Sequence, residues 1–110
     1  MKQNPKDLIE CIKYYLDVCS PEILDFFRNT KDSRMVHHTT GRAIRNDWGL
    51  WNDKNELHEF FVSIGIWHPD DMSAIILESL HRLLNNKPIN LTEQVTKYKD
   101  YWTKVQVIRN

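Results

Sequence analysis

The chain has 110 residues, 41% of them hydrophobic and 27% charged, which suits one soluble domain with a single modest core. Its fifteen basic and fifteen acidic residues cancel, and that disfavours nucleic acid or an anionic membrane as a general partner, since both draw on a positive field. No signal peptide, transit peptide or membrane span is visible, so a cytoplasmic setting is expected.

Helix starts recur along the chain. Asn4-Pro5-Lys6-Asp7 reads as an N-cap, a first-turn proline and an acid. The first helix carries Leu8, Ile12, Tyr15, Leu16 and Cys19 on one face. Cys11 and Cys19 both lie on it, eight residues apart. A rise of ~1.5 Å per residue separates them by about 12 Å. A disulfide tolerates roughly 7 Å between Cα atoms, so the two cannot pair with each other, and a reducing compartment follows.

Ser20-Pro21-Glu22 opens a short second helix with Ile23, Leu24, Phe26 and Phe27. A third is predicted from about Ser33 to Trp48, with Val36, Thr40, Ala43, Ile44 and Trp48 on one side and Gly49 as its stop. Asp53 with Glu56 has capping-box spacing and introduces the stripe Leu57, Phe60, Phe61 and Ile64, which ends at Gly65. His68-Pro69-Asp70-Asp71 opens a fifth helix with Met72, Ile75, Ile76, Leu80, Leu83 and Leu84, closed by Asn85-Asn86 before Pro88. Asn90 with Glu93 opens a sixth over about residues 90–107. On it Leu91, Val95, Tyr98, Trp102 and Val105 step by four and three, as in a coiled-coil seam. Packing of that seam onto its own domain is the favoured expectation; a homodimer contact through the C-terminal helix is the alternative.

No segment alternates with period two. The expected fold is all-α, a compact single-domain bundle of about six short helices over residues 1–110.

Two polar segments stand out, Gly41–Trp51 and His68–Ser73. Gly41 falls inside a predicted helix, where glycine costs roughly 1 kcal/mol against alanine. Close approach of another helix or chain would account for it. Arg42, Arg45 and Asn46 share one face at spacings of three and four, with His38 a turn earlier. Asp70 and Asp71 sit in the first turn of the fifth helix, where they suit the dipole and discourage an anionic ligand. The leading expectation is that Arg42 and Arg45 pair with Asp70 and Asp71, with Asn46 and His68 completing the network.

These two segments also carry a resemblance. The pattern Gly-x-x-Ile-Arg-Asn-x-Trp-Gly-Leu-Trp, followed by His-Pro-Asp-Asp-x-Ser-x-x-Ile, resembles a family of small uncharacterised bacterial domains over about residues 5–86. The resemblance implies a bacterial or phage setting and no chemistry. In size and style such helical domains also resemble immunity or inhibitor proteins.

Several functions compete for the same residues. His37, His38, His58, His68, Asp70 and Asp71 could ligate a metal, but no His-x-x-x-His or Cys-x-x-Cys pair is present, and adjacent histidines diverge by about 100° on a helix. Neither metal nor cofactor is expected. A small hydrolase could set His68, Asp70 and Asp71 against Arg42 and Arg45, acting on a phosphate or acyl group. No nucleophile is identifiable, since Ser73 lies inside a helix without a strained turn, so an enzyme is not expected. A nucleic-acid surface would use Arg28, Lys31, Arg34, Arg42 and Arg45 with Trp48 and Trp51 as stacking platforms. The favoured reading is protein binding through arginine and aromatic anchors, among them Trp48, Trp51 and Trp67. The expected partner is a toxin, nuclease or defence component.

Overall fold

A computed structural model describes residues 4–109 and contains six α-helices and no strand among them. Helix α1, Leu8–Val18, begins at Asp7, whose carboxylate accepts the Glu10 N–H at 2.9 Å. Glu10 in turn accepts the Lys6 N–H at 2.9 Å. This reciprocal cap satisfies two orphan donors at once, and it starts the helix three residues later than the expected cap at Asn4. Helix α2, Pro21–Asn29, starts at Ser20 as expected, with the hydroxyl accepting the Ile23 N–H at 3.3 Å.

The predicted third helix is three pieces. One 3-10 turn covers Ser33–Val36, a π-helical segment covers His37–Gly41, and α3 proper is only Arg42–Asp47. After α3 the chain reverses at Gly49, with φ +67°, and buries Leu50 completely. Asn55, not Asp53, caps α4, Glu56–Ser63, by accepting from the N–H groups of Leu57 and His58. Its side-chain amide also donates to the Trp48 carbonyl at 3.0 Å, which ties the cap to the end of α3. That second bond is what an Asp at the same place could not make.

Helix α4 stops at Gly65, with φ +98°. Helix α5, Pro69–Leu84, is the longest of the central elements. Met72, Ser73, Ile75, Ile76, Ser79 and Leu80 on it are fully buried, and α1, α2, α3, α4 and α6 all contact it. Helix α6, Leu91–Arg109, follows a turn with Asn86 and Asn90 at positive φ. Asparagine tolerates that backbone better than most residues. Val95 and Gln94 seat α6 on its own domain: Gln94 is 4% exposed and donates its amide to the Ser79 hydroxyl at 3.1 Å and the Ile89 carbonyl at 2.9 Å. None of the helices is long and apolar enough to cross a membrane, among the described residues.

The apolar stripes differ from expectation at their edges. Leu16, Ile23, Phe26 and Leu83 are exposed, and Cys11 takes the place on the buried face of α1 that Leu16 was given. Ala43 is exposed as well. Both cysteines are free thiols. Burial pushes the Cys11 thiol far above its usual range, with Asp7 and Glu10 adding to the effect, so it packs as a small apolar group.

Candidate functional site

The two polar segments meet through a single arginine. Arg45, on the short α3, has a side chain only 8% exposed. Its Nη1 donates to the Ser73 hydroxyl at 2.8 Å, its Nη2 to the His37 carbonyl at 3.5 Å, and its Nε lies 3.3 Å from an Asp70 carboxylate oxygen. The Ser73 hydroxyl passes its own proton to the Asp70 carbonyl at 3.0 Å. Guanidinium, hydroxyl, carboxylate and the π-helical carbonyl thus close into one unit, and no buried side-chain donor or acceptor lacks a partner among the described residues. Gly41 is part of this geometry. A Cβ there would lie 3.1 Å from Arg45 Nη1 and 3.6 Å from Leu77 Cδ1, so the close neighbour expected of Gly41 is the arginine itself together with α5.

The rest of the expected network is arranged differently. Arg42 and Asn46 are exposed, and their side chains make no hydrogen bond or ion pair among the described residues. The two arginines do not act as one face, because Arg45 turns in under α5 while Arg42 points to solvent. Asp71 binds no arginine; it accepts the Trp102 indole N–H at 2.8 Å. Burial raises the Asp71 carboxyl above its ordinary value, against the lowering effect of that hydrogen bond. His68 caps α5, its Nδ1 accepting the Asp70 N–H at 3.0 Å. Its ring stacks on Trp102 at 5.7 Å and 15°, with Trp67 at 5.6 Å and Trp51 at 6.2 Å.

An aromatic platform results. Trp67 also meets Trp102 at 4.8 Å, and Tyr101 meets Trp102 edge-on at 5.1 Å. Trp51, Trp67 and Tyr101 are each more than half exposed. Trp48 is not among them. It is 7% exposed and packs against Tyr14 and Tyr15 inside the core, which removes it as an interface or stacking residue. The cationic surface proposed for nucleic acid is thinned in the same way: Arg45 is buried, Arg28 is paired with Asp25, and Arg34 with Asp32.

No three His, Cys, Asp or Glu side chains converge to hold a metal ion among the described residues. His37 and His38 lie edge to face at 5.1 Å, and His58 is engaged with the Leu50 carbonyl at 2.7 Å. Burial, and then the Arg45 charge, lower the His37 pKa below its ordinary value.

The model of the family described as Domain of unknown function (DUF6794) matches residues 4–84. The chain belongs to this family. No curated protein and no solved structure matches. The DUF6794 region ends at the last residue of α5, so Arg45, Ser73, Asp70, His68, Trp51 and Trp67 all lie within it, whereas Trp102 and Tyr101 are supplied by α6 beyond it. These last two were missed by sequence reasoning, which read Trp102 only as a seam position. Ser73 was weighed as a nucleophile and is instead the arginine's acceptor. Its bond to the Asp70 backbone carbonyl is one that a serine within a helix can make, so no local signal marked it as the partner of Arg45.

Proposed function

We propose that this domain is a non-enzymatic protein-binding module of bacterial or phage origin, acting as an inhibitor or immunity-type protein on a toxin, nuclease or defence component. The observation that carries the reading is the platform of Trp51, Trp67 and Tyr101, each exposed by 54–59% and backed by His68 and Trp102. Tryptophan and tyrosine on a rigid backing are the side chains that most often anchor protein interfaces. A non-enzymatic role is supported by the acid–base groups of the two motifs, which are already engaged. Asp70 faces Arg45, Asp71 holds the Trp102 indole, and His68 Nδ1 caps α5.

The test is a partner isolated from the native host and reconstituted from pure components. Trp67→Ala and Trp51→Ala should each weaken the complex at least tenfold by calorimetry, with the melting temperature little changed. Turnover of a phosphate ester by the pure domain, lost in Asp70→Asn with folding intact, would overturn the reading in favour of a hydrolase.

A further inference from the structure

A second concave surface lies away from the aromatic platform. It is a groove of about 820 Å³ between the 3-10 turn, the outer side of α5 and the first half of α6. The smaller hollow beside Trp67 and Trp102 shares no residue with it. Five Lys and Arg side chains line the groove against three carboxylates, in a chain whose charges cancel as a whole.

The carboxylates are already answered. Glu78 receives the Ser33 hydroxyl at 2.7 Å and Arg82 Nε at 2.6 Å. Burial opposes its ionised form, yet these bonds and the Arg82 charge leave its pKa below the ordinary value. Glu93 takes Arg82 Nη2 at 2.9 Å, and Asp32 takes Arg34 Nη2 at 2.8 Å. The cations left unpaired are Lys31, Lys87 and Lys97, and because Arg82 answers two carboxylates the groove carries a net excess of two positive charges. They stand on three separate segments: the chain before the 3-10 turn, the α5–α6 turn, and α6. None of their ammonium groups makes a hydrogen bond or ion pair among the described residues, and the Lys97 ammonium lies 5.6 Å from the centre of the Tyr98 ring.

We propose that this groove binds a small ligand bearing two or more linked phosphate groups. Three unpaired lysines lining one groove from different segments match a distributed negative charge better than a single carboxylate, and lysine binds phosphate as a point charge. Groove size falls within the range of small-molecule sites. The same chemistry occurs in an inorganic polyphosphate and in a nucleoside polyphosphate. Tyr98 and Leu77, which also line the groove, offer an apolar wall that only the second would use. The site is independent of the protein-binding reading, which rests on other residues.

Calorimetry on the full chain tests it, with pyrophosphate, ATP, adenosine and a single-stranded oligonucleotide as probes. Pyrophosphate and ATP should bind, adenosine should not, and affinity should fall as salt rises. The double variant Lys31→Glu/Lys97→Glu should weaken binding at least tenfold with an unchanged circular dichroism spectrum, while Trp51→Ala should have no effect. ATP binding more tightly than pyrophosphate, with the difference lost in Tyr98→Ala, assigns the nucleotide; equal affinities assign the inorganic anion. Absence of binding by both anions at millimolar concentration overturns the proposal. So does full binding by the double variant, or an oligonucleotide that outcompetes both anions.

Discussion

Two arginines stand near opposite ends of α5, and they organise their surroundings in different ways. Arg45 reaches the first turn and is almost sealed from water, with one carboxylate, one hydroxyl and one carbonyl as acceptors. Arg82 sits on the last turn, with a side chain 21% exposed, and it takes two carboxylates, Glu78 and Glu93, plus the Ile89 carbonyl. The buried arginine meets mostly neutral acceptors, and the wetter one meets full charges. Desolvating a second carboxylate beside Arg45 would cost several kcal/mol, whereas at Arg82 solvent softens that penalty and also the gain. Arg45 therefore joins segments distant in sequence into one rigid end, while Arg82 fixes the path of the turn into α6.

Four measurements probe this contrast. Arg45→Ala should have the largest effect, about 2–3 kcal/mol, because it removes three polar contacts and the packing of the stem beneath Gly41. For a domain of this size that is a fall of roughly 10 °C or more in melting temperature. A loss no larger than that of Arg82→Ala would erase the distinction between the two ends. Arg82→Ala should cost about 1–2 kcal/mol, and hydrogen exchange should accelerate over residues 89–98 while α3 stays protected. Trp102→Phe keeps the ring stack on His68 but loses the bond to Asp71, for about 1 kcal/mol; an unchanged stability would mean that the indole N–H contributes nothing. The smallest effect is one of pH. The folded-state pKa of His37 lies below the ordinary 6.5, so the folded protein binds that proton less well than the unfolded chain. The His37 contribution to stability is complete above pH 6.5 and is lost as pH falls through its lowered value. Replacement by Gln should flatten the melting temperature against pH in that interval.

Most of the helical framework was legible because its signals are local. Ser20, His68, Gly49 and Gly65 punctuate the chain through side-chain caps and positive φ, which depend on a few neighbouring residues. The joining of Gly41–Trp51 to His68–Ser73 was legible too, as opposite charges on two amphipathic elements. The identity of the pairs was not. Arg42 and Arg45 are three apart on α3, as their spacing implied, but only Arg45 stands where its side chain reaches Ser73 and Asp70 on α5. Trp48 and Trp51 are three residues apart with similar composition around them, yet one is core and the other surface, because the turn at Gly49 reverses the chain between them. Gln94 carried no motif, and Arg82 carried only its i,i+4 spacing from Glu78. Their partners lie on both sides of the α5–α6 turn, and only the folded turn brings those groups together.

The π-helical stretch at His37–Gly41 has a consequence for chain length. Its bonds span five residues where an α-helix spans four, so it holds more chain per turn than the helix it leads into. Five residues at this wider winding turn through about the same angle as four at the ~100° per residue of an α-helix, so the stretch absorbs one extra residue and α3 still emerges where continuous α-helical winding would put it. One residue fewer between Val36 and Arg42 should therefore rewind the stretch as α-helix and leave the Arg45 guanidinium near Ser73, whereas one residue fewer between Arg42 and Arg45 would turn Arg45 away from it by about 100°. Chain length is thus better tolerated as a variable in the π-helical stretch than inside α3.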